Sequence, residues 1–249
     1  MDKQKPTIFP VKDNDMGQGR IFHENLPDIG LGVKGKGSVL VLLSPRNTGK
    51  STIATNIFLS EQFFGDTKSP NGTAFDEVFV ISPTINVDNT SRFMKKRFTT
   101  FDNYHPDIIK GILDNQLAMG NDAPEIAIFI DDSVGLMDKE LSMLATRSRH
   151  YNIKLLMISS QKFKGALDPV LRVNITDLIV GSPFPNMKDL EAVADEFGDQ
   201  FGGKQRWLEM YREATPKKYD FAYMKLTNPP QLFHNFSDEI YKEKQIKEE

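Results

Sequence analysis

Ser44-Pro45-Arg46-Asn47-Thr48-Gly49-Lys50-Ser51-Thr52 joins an apolar run to an amphipathic one, and Gly49-Lys50-Ser51 matches the end of a phosphate-binding loop. In such a loop consecutive backbone N–H groups wrap a β-phosphate and the following helix adds the positive end of its dipole. A lysine reaches the β- and γ-phosphates, and the next hydroxyl ligates Mg²⁺. Lys50 and Ser51 stand in those two places, so the segment predicts a site for ATP with Mg²⁺. Ser44 occupies the position of the pattern's first glycine, which ordinarily supplies a strained turn. The alternative for the tripeptide alone is a Gly/Asn turn leading into a Ser-capped helix.

A second group supplies acids and an amide. The apolar stretch Ile126–Ile130 ends in Asp131-Asp132, the arrangement of a Walker B strand. There the first carboxylate holds the cation, which assigns Asp131 to metal, and the second orients or deprotonates the attacking water, which assigns Asp132 as base. Taken alone, the pair also reads as a helix cap and a solvated acid. Gln161 follows Ile158-Ser159-Ser160, where an uncharged amide can sense a γ-phosphate or position water; its plain alternative is a polar loop residue. Arg147, Arg149 and Arg172 are candidates for a guanidinium reaching into a neighbouring subunit's site, each with the alternative of a solvated cation at a helix end. Lys162 and Lys164, just past Gln161, are the better candidates for DNA contact, whereas Lys95-Lys96-Arg97 reads as solvated. The four histidines have no metal-ligand spacing, and the ten methionines read as core filler.

These residues fall within a chain of alternating strand and helix patterns. Ser38–Leu43, Val78–Ile81, Ile126–Ile130, Lys154–Ile158 and Asp177–Val180 read as strands buried on both faces. Helical stripes lie between and after them: Ile53, Ala54, Ile57 and Phe58 within 51–63; Ile108, Ile109, Ile112, Leu113 and Leu117; Leu141, Leu144 and Ala145; Met187, Leu190, Val193, Ala194 and Phe197. Residues 219–226 alternate as a late antiparallel strand. This order predicts an α/β fold, a mostly parallel central sheet with helices on both faces. Residues 1–36, with Pro6, Pro10 and Pro27, read as an extended arm that lies on the domain or reaches a neighbour. The ATPase domain is expected over 37–230, and 231–249 as a charged tail, with 238–249 a solvated helix or frayed end.

Composition sets limits. The 249 residues suit one sizeable domain. With 31 basic and 34 acidic side chains the net charge is −3, which argues against coating nucleic acid through bulk positive charge. The absence of cysteine excludes disulfides, thiolate zinc sites and a cysteine nucleophile. No signal peptide or membrane span is expected.

Together the loop 44–52, the strand end Ile128–Asp132 and the run Arg147-Ser148-Arg149-His150-Tyr151-Asn152-Ile153 leading to Ser159-Ser160-Gln161 resemble the DNA-packaging ATPases of the FtsK–HerA superfamily. The resemblance spans roughly residues 37 to 185 and is to the short, poxvirus-type enzymes of large double-stranded DNA viruses and virophages. It implies a RecA-like P-loop NTPase forming a homo-oligomeric ring, hexamer or pentamer, that hydrolyses ATP to drive double-stranded DNA into a preformed viral capsid. That work is placed at assembly sites in the host-cell cytoplasm or on the virion, without membrane. Loop and metal roles carry over to Lys50, Ser51, Asp131 and Asp132, the sensor role to Gln161, and the arginine role to Arg149 or Arg147, with Arg172 also eligible. Ser44 for glycine departs from the family, as does Asp132 where many relatives have glutamate. A P-loop nucleotide kinase and a nucleotide-binding assembly factor without turnover are the competing expectations.

Overall fold

Every residue of β1 (Ser38–Leu43) is buried, and its side chains divide by parity. Val39, Val41 and Leu43 enter one hydrophobic core while Leu40 and Leu42 enter another, so the strand is covered on both faces. The structure, a computed structural model, describes residues 37–132, 139–184, 187–227 and 229–242. After β1 come α1 (Lys50–Leu59), β2 (Glu77–Ile81), α2 (Arg92–Lys95), β3 (Thr99–Phe101), α3 (Pro106–Met119), β4 (Ile126–Ile130), α4 (Lys139–Arg147) and β5 (Ile153–Ser160). The chain continues through α5 (Pro169–Arg172), β6 (Asp177–Gly181), α6 (Met187–Phe197), α7 (Lys204–Ala214), β7 (Phe221–Lys225), β8 (Gln231–His234) and β9 (Asp238–Lys242).

The described strands form one sheet in the order β3-β2-β4-β5-β1-β6-β7-β8-β9. From β3 to β6 all pairings are parallel, and β7, β8 and β9 add antiparallel strands. β1 is central, flanked by β5 and β6, so its C-terminal end opens where open parallel sheets bind ligands. The α/β class, the mostly parallel sheet and the late antiparallel strand agree with expectation.

Several expectations change. α1 stops at Leu59, with an extended Ser60 as its cap. Leu117 and Met187, read as part of the apolar helical stripes, are 60% and 47% exposed. The segment 238–249 was expected as a helix or frayed end, yet Asp238–Lys242 is a strand, and with β8 it extends the sheet beyond residue 230. β3 and α7 were not expected. α7 presents Trp207, Leu208, Met210, Tyr211 and Ala214 to the core, a helical stripe that pairs it with α6. The arm 1–36 lies outside the described residues.

Candidate nucleotide-phosphate site

The loop leaves β1 at Ser44, whose N–H donates to the Ser160 carbonyl at 2.9 Å. Its turn needs a left-handed backbone, and Asn47 (φ 59°) and Gly49 (φ 93°) supply it. The Thr48 hydroxyl donates to the Pro45 carbonyl at 2.6 Å and is also hydrogen-bonded to the Ser44 hydroxyl. α1 then starts at Lys50 with no side-chain cap and no acid in its first turn. Its end therefore keeps the unpaired N–H groups and positive potential that favour an anion.

Ser44 fits where glycine was expected because the opposing strand makes room. A Cβ on Gly181, the last residue of β6, would sit 2.1 Å from Ser44 Oγ and 2.9 Å from Ser44 Cβ. The missing side chain has moved from the loop to its neighbour.

Lys50 is buried, and its ammonium donates to the carbonyls of Ser44 at 2.9 Å and Pro45 at 3.0 Å. It also lies 3.9 Å from Asp132 Oδ1. Burial lowers the lysine's pKa, against the opposing pull of Asp132 and Asp131. Asp131 continues from β4, its N–H donating to the Ile81 carbonyl at 2.8 Å, and its Oδ2 accepts from Ser82 Oγ at 2.9 Å. Burial pushes its carboxyl above the ordinary range, although the hydroxyls of Ser159 and Ser82 favour the ionised form. Asp132 turns into the left-handed region at φ 47°, which aspartate tolerates better than most residues. Its Oδ2 accepts from Gln161 Nε2 at 2.8 Å, while Oδ1 is buried with no hydrogen-bond partner among the described residues.

Loop, acids and amide therefore converge at one edge of the sheet, with Lys50, Asp132 and Gln161 linked by direct contacts and Asp131 near enough to act on Lys50 and Asp132 through its charge. Ser51 and Thr52, half-buried, open α1 beside it; Arg46 and Asn47 are exposed on the loop. The arginines are elsewhere. Arg147 ends α4 and Arg149 lies in a 3-10 turn, Ser148–Tyr151, just before β5 begins, so both are exposed at the opposite edge from Gln161. Arg172 is committed within its own chain: it donates to Glu196 at 2.7 Å and lies 5.4 Å from the centre of the Phe163 ring. Lys162 and Lys164 are exposed just beyond Gln161.

Ser82 and Gly181 are parts of the site not singled out from sequence. Ser82-Pro83 marks the end of a strand, but only the pairing of β2 with β4 brings its hydroxyl to Asp131. Gly181 carries no local signal at all.

No protein-family model matches the chain, and no curated protein sequence does. Solved structures do. The genome packaging NTPase B204 from Sulfolobus turreted icosahedral virus 2, in complex with AMPPCP, aligns with a TM-score of 0.55 at 12% identity over 80% of this chain and 98% of that one. B204 described as the DNA-packaging ATPase from Sulfolobus turreted icosahedral virus aligns at 0.53 and 12% identity, over 80% and 97%. The pCW3 conjugation coupling protein TcpA, in its monomer form with ATPγS, aligns at 0.51 and 14% identity, over 95% of this chain and 71% of that one. The chain thus has a P-loop NTPase fold, and a viral genome-packaging NTPase and a conjugation coupling protein share it.

Proposed function

We propose that this protein is an ATP-hydrolysing motor that moves double-stranded viral DNA into a capsid, working as a homo-oligomeric ring. The observation that carries the reading is the chain of contacts from Gln161 through Asp132 to Lys50, which links the phosphate loop to a half-buried acid whose Oδ1 has no hydrogen-bond partner among the described residues.

In the proposed reaction Lys50 exchanges the Ser44 and Pro45 carbonyls for the β- and γ-phosphates. Gln161 holds Asp132 by Oδ2, leaving Oδ1 to accept a proton as water attacks the γ-phosphorus and the bond to the β-phosphate oxygen breaks. Ser51 and Asp131 would hold Mg²⁺; their hydroxyl and carboxylate are the oxygen donors a hard cation takes, and the burial that raises the Asp131 pKa favours an incoming positive charge. When bound, Mg²⁺ neutralises phosphate charge. Lys162 and Lys164 are exposed next to the sensor and supply the local positive charge that a subunit of net −3 needs to touch DNA. Arg149 or Arg147 lies away from its own loop, as a residue must that serves the neighbouring subunit's site. A pentamer or hexamer acting at viral assembly sites in the host cytoplasm, or on the virion, completes the reading. No helix among the described residues is long and apolar enough to cross a membrane.

The test is turnover with and without duplex DNA. Asp132→Asn is expected to retain ATP-analogue binding and to lose about 10²- to 10⁴-fold in rate, the usual worth of a general base. Parental turnover by this variant would place the base elsewhere. Turnover that rose with nucleosides and ignored DNA would make the protein a kinase, and ATP binding with no turnover under any condition would make it an assembly factor.

A further inference from the structure

We infer that the turn Lys217–Asp220 is the nucleobase subsite of the phosphate loop, with Tyr219 the surface on which the base of a nucleoside triphosphate stacks. The inference rests on reading loop 44–52 as a nucleotide site and adds how the rest of the nucleotide is held. β1 divides the C-terminal edge of the parallel strands. On one side β5 and β4 deliver Gln161, Asp132 and Asp131. A nucleotide whose γ-phosphate meets these groups must point its nucleoside away from them, toward β6 and β7. β7 is antiparallel with Phe221 opposite Gly181, so the turn leading into it returns to the same edge as the phosphate loop.

That turn is held in place. Lys217 N–H donates to Asp220 Oδ2 at 2.9 Å, Asp220 N–H to the Lys217 carbonyl at 3.2 Å, and Ser182 N–H to the Asp220 carbonyl at 3.0 Å. Within it Tyr219 has φ 74°, a left-handed conformation costly for a bulky residue. No burial offsets the cost, since the side chain is 56% exposed. Instead the ring stands against the loop, its Cδ1 3.9 Å from where a Cβ on Gly49 would lie. The Lys218 ammonium stands over one face of the ring, 4.8 Å from its centre, and the side chain of Tyr219 still remains 56% exposed for a base to meet. A strained backbone that holds an open aromatic face beside a phosphate loop suits a flat heterocycle. Stacking reads the face of a base and not its edge, so the subsite should accept adenine and guanine alike.

The experiment compares two probes by equilibrium titration calorimetry: ATP, and inorganic tripolyphosphate, which has the phosphates without the base. Tyr219→Ala is expected to weaken ATP about 5- to 150-fold, the range set by loss of one base–aromatic stack, and to leave tripolyphosphate unchanged. Tyr219→Phe should bind both as the parent does. Tyr219→Trp adds an exposed indole to a protein whose single tryptophan, Trp207, is buried; its fluorescence should respond to ATP and GTP but not to tripolyphosphate. Parental ATP affinity in Tyr219→Ala, or a silent indole, would overturn the subsite while the phosphate site stood. Failure of the parent to bind either probe would overturn the nucleotide site and the subsite together.

Discussion

Ser44 and Gly181 meet where β1 and β6 end, and their sizes are matched: one strand carries a hydroxymethyl group where the other carries nothing. Gly181→Ala is expected to destabilise the protein by about 1–3 kcal/mol through overpacking and to weaken ATP, because relief requires the loop to move. Adding Ser44→Gly should restore both, and urea unfolding of the two single variants and the double variant measures the coupling. Asp131 is a different kind of conflict. Burial raises its carboxyl pKa, so the folded state binds the proton more readily than the unfolded state does. Its ionised form therefore costs stability, increasingly as pH rises from the ordinary carboxylate range through the raised value. With nucleotide and divalent cation removed, Asp131→Asn should raise the neutral-pH Tm, by about 2–4 °C for each kcal/mol gained, and the difference should vanish at acidic pH where both side chains are neutral. The variant should also lose cation-dependent turnover, since a stabilised site is here a disabled one.

At the scale of elements, the helices and strands around the loop follow local pattern, and the C-terminal strands do not. β1, β4, β5 and β6 each contain an apolar run because both faces of the sheet are covered there, which is why they are legible without a structure. β8 and β9 are short, carry polar and charged residues near the edge of the sheet, and change register between Leu232 and Phe233. Charge on an edge strand guards against pairing with another chain and at the same time hides the strand's period. What holds this region is aromatic packing: Phe236 lies 4.9 Å from Phe63, 5.0 Å from Phe221 and 5.2 Å from Tyr223, centre to centre. Phe236→Ala is expected to cost about 3–5 kcal/mol in thermal or urea unfolding. A loss under 1 kcal/mol would mean that β7–β9 are held by backbone pairing alone.

For the molecule as a whole, the fold puts Arg147 and Arg149 at one edge of the sheet and the phosphate loop at the other. An arginine so placed lies away from its own phosphate loop, and in the proposed ring it would serve a neighbour's site. Doping Arg149→Ala subunits into parental assemblies should suppress turnover beyond the mutant fraction, as read from steady-state rates across a mixing series. Loss in strict proportion would mean that each subunit works alone. Arg172 is not an equivalent candidate, because its pairing with Glu196 and its contact with Phe163 tie it to α6 and to its own core.

The α/β class, the order of the central elements and the candidate residues Lys50, Asp131, Asp132 and Gln161 are legible before folding, because each is written locally: an apolar run, a turn, and a polar residue at the strand's end. The remaining contacts are set by which strand ends become neighbours. Ser82 on Asp131, Gly181 beneath Ser44 and Tyr219 beside Gly49 join residues far apart in the chain, and no local periodicity records which strand ends will be neighbours. The same holds for the arginines, which look alike as residue types. Arg149 and Arg172 both precede a parallel strand, and only tertiary contacts separate them: Arg172 is tied to Glu196 and Phe163, whereas Arg149 is exposed.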